Sequence, residues 1–195
     1  MKQHQHFKVY KPVGMLSQLS SGEARQLQKK RFLSELYPFP EGSMPVGRLD
    51  EKSEGLLLMT TDGKWSDFIN QGGLEKEYLV QLDGLITPEA VGRLSEGVSI
   101  GLFGTLYTTK TCVVKMLETP PSLPAAHPSL RIGRHRPTSW ISITITEGKY
   151  RQVRKMTAAV GFPTVRLIRV RIGPIVLGQM QRMQVIPVPP QTVLI

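Results

Sequence analysis

Apolar and polar positions alternate along Phe7-Lys8-Val9-Tyr10, and Lys11-Pro12-Val13-Gly14 then breaks the alternation. This predicts a short strand running into a loop. Residues 22–36 suit a polar helix that ends before Pro38 and Pro40. Leu56–Thr60 reads as a buried strand, and Lys64–Gln71 as a helix with Trp65, Phe68 and Ile69 on one face. Glu77–Leu82 follows as a strand, then Pro88–Gly97 as a short helix with proline in its first turn and glycine at its end. Further strands are expected at Thr109–Leu117 and Ser139–Thr146, a helix at Arg151–Val160, and a strand at Val165–Ile172. Pro187, Pro189 and Pro190 mark the end as an extended strand and tail. Strands and helices mix without a βαβ rhythm or an internal repeat. The expected fold class is therefore α+β with a mixed, mostly antiparallel sheet.

Between the strands at 109–117 and 139–146 lies a segment without periodicity, residues 119–137. It holds five prolines together with Arg131, Arg134 and Arg136. Connections of this length are usually functional or disordered, so a mobile basic loop or a disordered surface insertion is expected there.

The chain has 195 residues, enough for one domain or two intimate halves around a sizeable core. No apolar run is long enough to span a bilayer, and Met1–His6 lacks the apolar core of a signal peptide, so no membrane association is expected. The single Cys112 excludes an intramolecular disulfide and a cysteine-cluster zinc site, and a reducing, cytoplasmic home follows. The net charge of +10 is unevenly placed. Residues 1–130 carry 14 Lys/Arg against 14 Asp/Glu, whereas residues 131–171 carry 10 Lys/Arg against Glu147 alone. A charge excess confined to one structured third suggests a face that binds a polyanion, and arginine suits phosphate forks.

His4, His6, His127 and His135 have no metal-ligand spacing, so no metal is expected. Residues 42–49 imitate a phosphate loop, but Arg48 and Leu49 stand where lysine and Ser/Thr are needed. No pair of histidines suits a hydrolase triad. What remains is a set of four segments. Lys11-Pro12-x-Gly14 comes first, then Gly47-Arg48-Leu49-Asp50 with Ser53-x-Gly55-Leu56-Leu57. Lys76-Glu77-Tyr78-Leu79-Val80 is third. Glu147–Met156 with Val160-Gly161-Phe162-Pro163 and Arg166–Arg169 closes the set. In this order, across nearly the whole chain, they resemble the motifs of the pseudouridine synthases, in the small-subunit pseudouridine synthase A family. Pro137–Trp140 leading into the closing block is most similar to the branch acting on the large ribosomal subunit. Many relatives begin with an S4-type RNA-binding domain; here the opening motif starts at Lys11, and no such domain is expected.

The resemblance implies a single catalytic domain with a mixed, mostly antiparallel bent sheet and a central active-site cleft. It implies an isomerase that converts a uridine of ribosomal RNA, in 23S rRNA, to pseudouridine without cofactor. Asp50 would be the catalytic carboxylate, adding to the ribose or removing one of its protons. Arg154 would pair with Asp50, Tyr78 would receive the extruded base, and Arg48 would keep the nucleotide's space open. Val153 and Leu167 would be apolar walls. RNA contacts are expected from Lys76, Arg131, Arg134, Arg136, Lys149, Arg151, Lys155, Arg166 and Arg169. No role is attached to Tyr150. A monomer is expected. The alternatives are a non-catalytic RNA-binding or ribosome-assembly protein, and a synthase acting on another RNA.

Overall fold

In a computed structural model, residues 3–71, 73–133 and 136–189 are described. The first elements are β1 (His6–Lys11), α1 (Ala24–Lys29), a 3-10 turn (Leu33–Glu35), β2 (Met44–Val46), β3 (Glu54–Thr60) and α2 (Gly63–Gln71). Then follow β4 (Lys76–Asp83), α3 (Pro88–Glu96), β5 (Ser99–Leu102), β6 (Thr105–Thr108), β7 (Val113–Leu117) and β8 (Thr138–Ile145). The last are α4 (Gln152–Ala159), β9 (Thr164–Ile172), β10 (Ile175–Val176) and β11 (Val185–Val188). The chain forms two units, Met1–Leu74 with Arg169–Ile195, and Glu75–Ile168. The architecture is α+β with mostly antiparallel strand pairing, as the periodicity predicts.

In the first unit every residue of β3 is buried, which its apolar run requires. β1 pairs with β3 antiparallel, Val9 opposite Leu57, and β2 takes the other edge with Pro45 opposite Met59. The outer partner of β1 is β11, where Pro187 opposes Phe7. A proline is tolerated there because an edge strand leaves one side of its backbone unpaired. Helix α2 starts from Asp62, whose carboxylate accepts the backbone N–H groups of Lys64 (3.0 Å) and Trp65 (3.2 Å). It buries Trp65, Ser66 and Ile69. Phe68, expected on the same face, is exposed, because Trp65 and Ile69 one helical turn apart already fill the contact.

The helix expected over residues 22–36 is broken into α1 and the 3-10 turn. No residue of α1 is buried, so nothing in packing extends it. From Lys30 the backbone turns extended and is drawn into other bonds. Leu16 N–H donates to the Arg31 carbonyl (2.9 Å), and Leu33 N–H to that of Gln18 (2.8 Å).

In the second unit β8 lies between β4 and β7, with Tyr78 opposite Ile143 and Val114 opposite Ile143 on the other side. Val80, Leu82, Ile141 and Ile143 are fully buried and form its core. Helix α3 is capped by Thr87, with Pro88 in its first turn. It ends at Gly97 (φ +104°), where a Cβ would stand 2.3 Å from the Thr109 carbonyl oxygen. The strand expected over 109–117 begins only at Val113. Thr109 and Cys112 are bonded instead to the end of α3, through Val98 N–H to Thr109 Oγ1 (3.0 Å) and Cys112 N–H to the Ser95 carbonyl (2.9 Å). Ahead of them β5 and β6 form a separate two-stranded hairpin, which the periodicity did not predict, and α4 packs on β5.

Candidate active site

Asp50 lies on the loop between β2 and β3, and several bonds to the loop's backbone hold it. Ser17 Oγ donates to the Leu49 carbonyl (2.9 Å) and accepts the Leu49 N–H (3.0 Å), so one hydroxyl holds both faces of the residue before Asp50. Gly14 N–H donates to the Glu51 carbonyl (2.8 Å), and Ser53 N–H to that of Asp50 (2.9 Å). Gly14 has φ +83°, a conformation that a residue with a Cβ rarely adopts, which accounts for the glycine of the opening motif. The half-buried Asp50 is therefore held from 49, 50 and 51 at once. Arg48 is exposed on the same loop.

Lys11 explains the other end of the opening motif. It is completely buried, and its Nζ donates to the carbonyls of Pro12 (2.9 Å) and Met15 (2.8 Å), closing the turn that presents Gly14 and Ser17. Burial pushes its pKa down to about 7, against the pull of Glu51, Glu54 and Asp50. A neutral amine keeps two hydrogens, enough for both carbonyls. Glu54 is also fully buried, bonded by the Tyr10 hydroxyl (3.4 Å) and paired with Arg182 (3.6 Å).

Tyr78, Arg154, Val153 and Leu167 belong to the second unit. Tyr78 is 8% exposed on β4. Val153 and Leu167 are buried, on α4 and β9. Arg154 is half-buried on α4, with one guanidinium nitrogen 3.4 Å from the Thr164 carbonyl. Arg151 precedes α4 in the left-handed region (φ +52°), and Gln152 closes the helix start by accepting the Lys149 N–H (2.9 Å).

The residues expected to meet RNA divide by burial. Arg131 and Lys149 are exposed; Lys76, Arg151 and Lys155 are half-buried. Arg134 lies outside the described residues. Arg136 is exposed but committed to Asp83 (3.2 Å) and to the Gly161 carbonyl (3.4 Å). Two assignments are corrected. Arg166 is 4% exposed and donates to the Pro124 carbonyl (2.8 Å), tying down the proline-rich segment. Arg169 is 3% exposed, its Nε on the Leu56 carbonyl (2.8 Å). β9 is buried on both faces from Arg166 to Arg169, so these two guanidinium groups meet carbonyls rather than phosphates.

Two features escaped the sequence reading. Ser17 carries no local signal, since its partner is distant in sequence. Glu147 does: it is the lone acid among the cations of residues 131–171. Burial opposes its ionisation, but bonds from the Tyr107 hydroxyl, the Lys110 N–H and the Gln152 amide outweigh this and hold its pKa below the ordinary value.

Residues 5–159 match the family model described as RNA pseudouridylate synthase. The chain is 40% identical over 165 residues to "Ribosomal large subunit pseudouridine synthase E" of Xanthomonas axonopodis pv. citri (strain 306), covering 84% of this chain and 83% of that protein. It is 36% identical over 173 residues to the protein of the same name from Vibrio parahaemolyticus serotype O3:K6 (strain RIMD 2210633), covering 88% and 68%. Among solved structures it is similar to one described as "Crystal structure of pseudouridylate synthase". That likeness has a TM-score of 0.78 at 26% identity and covers 99% of this chain and 74% of the other.

Proposed function

The chain belongs to the RNA pseudouridylate synthase family, and from that premise we propose that it isomerises a specific uridine of 23S ribosomal RNA. The observation that carries this reading is the Asp50 loop, whose backbone is bonded on both sides of the one carboxylate in the Arg-Leu-Asp segment. The relatives named for the large ribosomal subunit, at 36–40% identity, support that choice of substrate.

The reaction breaks the bond from ribose C1′ to uracil N1, turns the base, and forms a bond from C1′ to C5. The C5 proton is lost and N1 gains one, so nothing is oxidised and no group enters or leaves. Such chemistry calls for no cofactor. Asp50 supplies the carboxylate that adds to the sugar or removes a ribose proton. A loop held at three successive residues spares the carboxylate the entropy of finding its position. Arg48 keeps room for the nucleotide.

A uridine in structured RNA must leave its stack before it can react, at a cost of about a few kcal/mol. Tyr78 receives the extruded ring, with Val153 and Leu167 as apolar walls. Lys76, Arg131, Lys149, Arg151 and Lys155 hold the backbone, which sets register without reading sequence.

The test is to map pseudouridine in ribosomal RNA from cells with the protein, without it, and with Asp50→Asn in its place. One position of 23S rRNA should lose its modification in the second and third strains. An identical pattern in all three would overturn the reading.

A further inference from the structure

The tip of the β5–β6 hairpin carries side chains that folding does not ask for. Phe103 is 88% exposed and Leu106 83%, while Tyr150, on the loop before α4, is 57% exposed. Phe103 and Gly104 are the two central residues of the turn, and both have positive φ (+48° and +86°). Asn, Asp or Gly occupy such a turn at little cost, whereas a phenylalanine there is strained and gains no burial. Its ring meets that of Tyr150, with centroids 5.7 Å apart and planes 30° from each other.

The surroundings are cationic. Lys155 Nζ lies 5.2 Å from the centroid of the Tyr150 ring and donates to the Gly101 carbonyl (2.6 Å), so a single ammonium links α4, the hairpin and Tyr150. Lys149 Nζ lies 4.9 Å from the centroid of the neighbouring Tyr107 ring. Glu147, beside Tyr107, is taken up by Tyr107, Lys110 and Gln152. Exposed rings flanked by cations fit an unpaired nucleobase with phosphates on either side of it. A purely apolar protein partner would gain little from the ammonium groups.

We propose that Phe103 and Tyr150 form a stacking platform for an unpaired base of the substrate RNA, apart from the residues assigned to the reacting uridine. The proposal rests on the reading of this protein as an RNA isomerase. The platform adds affinity and register on the substrate; it takes no part in bond making.

The test uses the full chain and a 23S rRNA transcript labelled with tritium at uracil C5, whose release reports turnover. Phe103→Asn with Tyr150→Ser removes both rings, keeps the charge, and places at the turn a residue that tolerates positive φ. KM should rise about tenfold with kcat unchanged. The salt dependence of binding should keep its slope, because no phosphate contact is lost. Equal KM for wild type and variant would overturn the platform while leaving the isomerase reading intact. A wild-type chain that neither binds nor converts the transcript would overturn both. A variant normal on the naked transcript but slow on assembling large-subunit particles would assign the patch to a protein partner and overturn the proposal.

Discussion

The Asp50 loop and the hairpin face that carries Phe103 are built on opposite principles. Around Asp50 the polar groups are turned inward: Ser17, Gly14 and Lys11 spend their hydrogen bonds on the backbone. Around Phe103 rings and ammonium groups stand in solvent, and the bonds that position them, such as Lys155 to Gly101, lie at the surface. The first arrangement holds a carboxylate in one place; the second offers rings and charge to a partner that arrives from outside. A group that must meet a particular atom needs the rigidity of satisfied buried bonds. A surface that grips a flexible polyanion needs charge and area, with little demand on exact placement.

The sharpest way to break this contrast is Asp50→Asn. The amide keeps the size but can neither attack the sugar nor accept its proton, so turnover should fall on the order of 10³-fold. RNA retention should stay near wild type. Conversion and filter retention, measured separately on the same transcript, check both halves. Turnover near wild type would remove Asp50 from the chemistry.

A smaller effect is expected from Ser17→Ala, which leaves the Leu49 N–H and carbonyl without their partner. Stability should drop by about 2 kcal/mol, and kcat should fall about tenfold through loosened placement of Asp50. KM should not change. This is the inverse of the pattern expected for the hairpin variant, so the two substitutions together test whether placement and grip are separate. A Ser17→Ala enzyme with wild-type kcat would show that the loop holds without it.

Lys11→Met should give the smallest effect, visible in the pH dependence of stability. The folded pKa of Lys11, about 7, lies below the ordinary value of 10.5. Between those values the unfolded chain binds more protons than the folded one, so this lysine makes stability increase as pH rises. Its penalty is fully present below pH 7 and is relieved as the pH approaches the unfolded value. Denaturant melts across that range should show a flatter profile in Lys11→Met. An unchanged profile would mean that the amine is solvated in the folded state.

The sequence by itself determined most of the regular elements. Period-two patterns and apolar runs locate β1, β3, β4, β8 and β9 to within about two residues, because a strand's burial is written in its neighbours along the chain. Helix α2 was legible from Trp65 and Ile69 on one face, and α3 from Pro88 and Gly97 that bound it. The resemblance of Gly47-Arg48-Leu49-Asp50 to the family's motif singled out the carboxylate. Tertiary structure decided the rest, and in each case the partner was remote. Leu49 finds Ser17 32 residues away, and Arg169 finds the Leu56 carbonyl 113 residues away. Arg166 was read as a surface cation because charge is legible in sequence whereas burial of a single long side chain is not. Helix α1 stops short because residues 15–18 compete for its backbone, and the β5–β6 hairpin arises where a phenylalanine occupies a turn that favours Asn or Gly. Local pattern specifies local structure; which buried polar group meets which carbonyl depends on contacts between segments that the pattern does not contain.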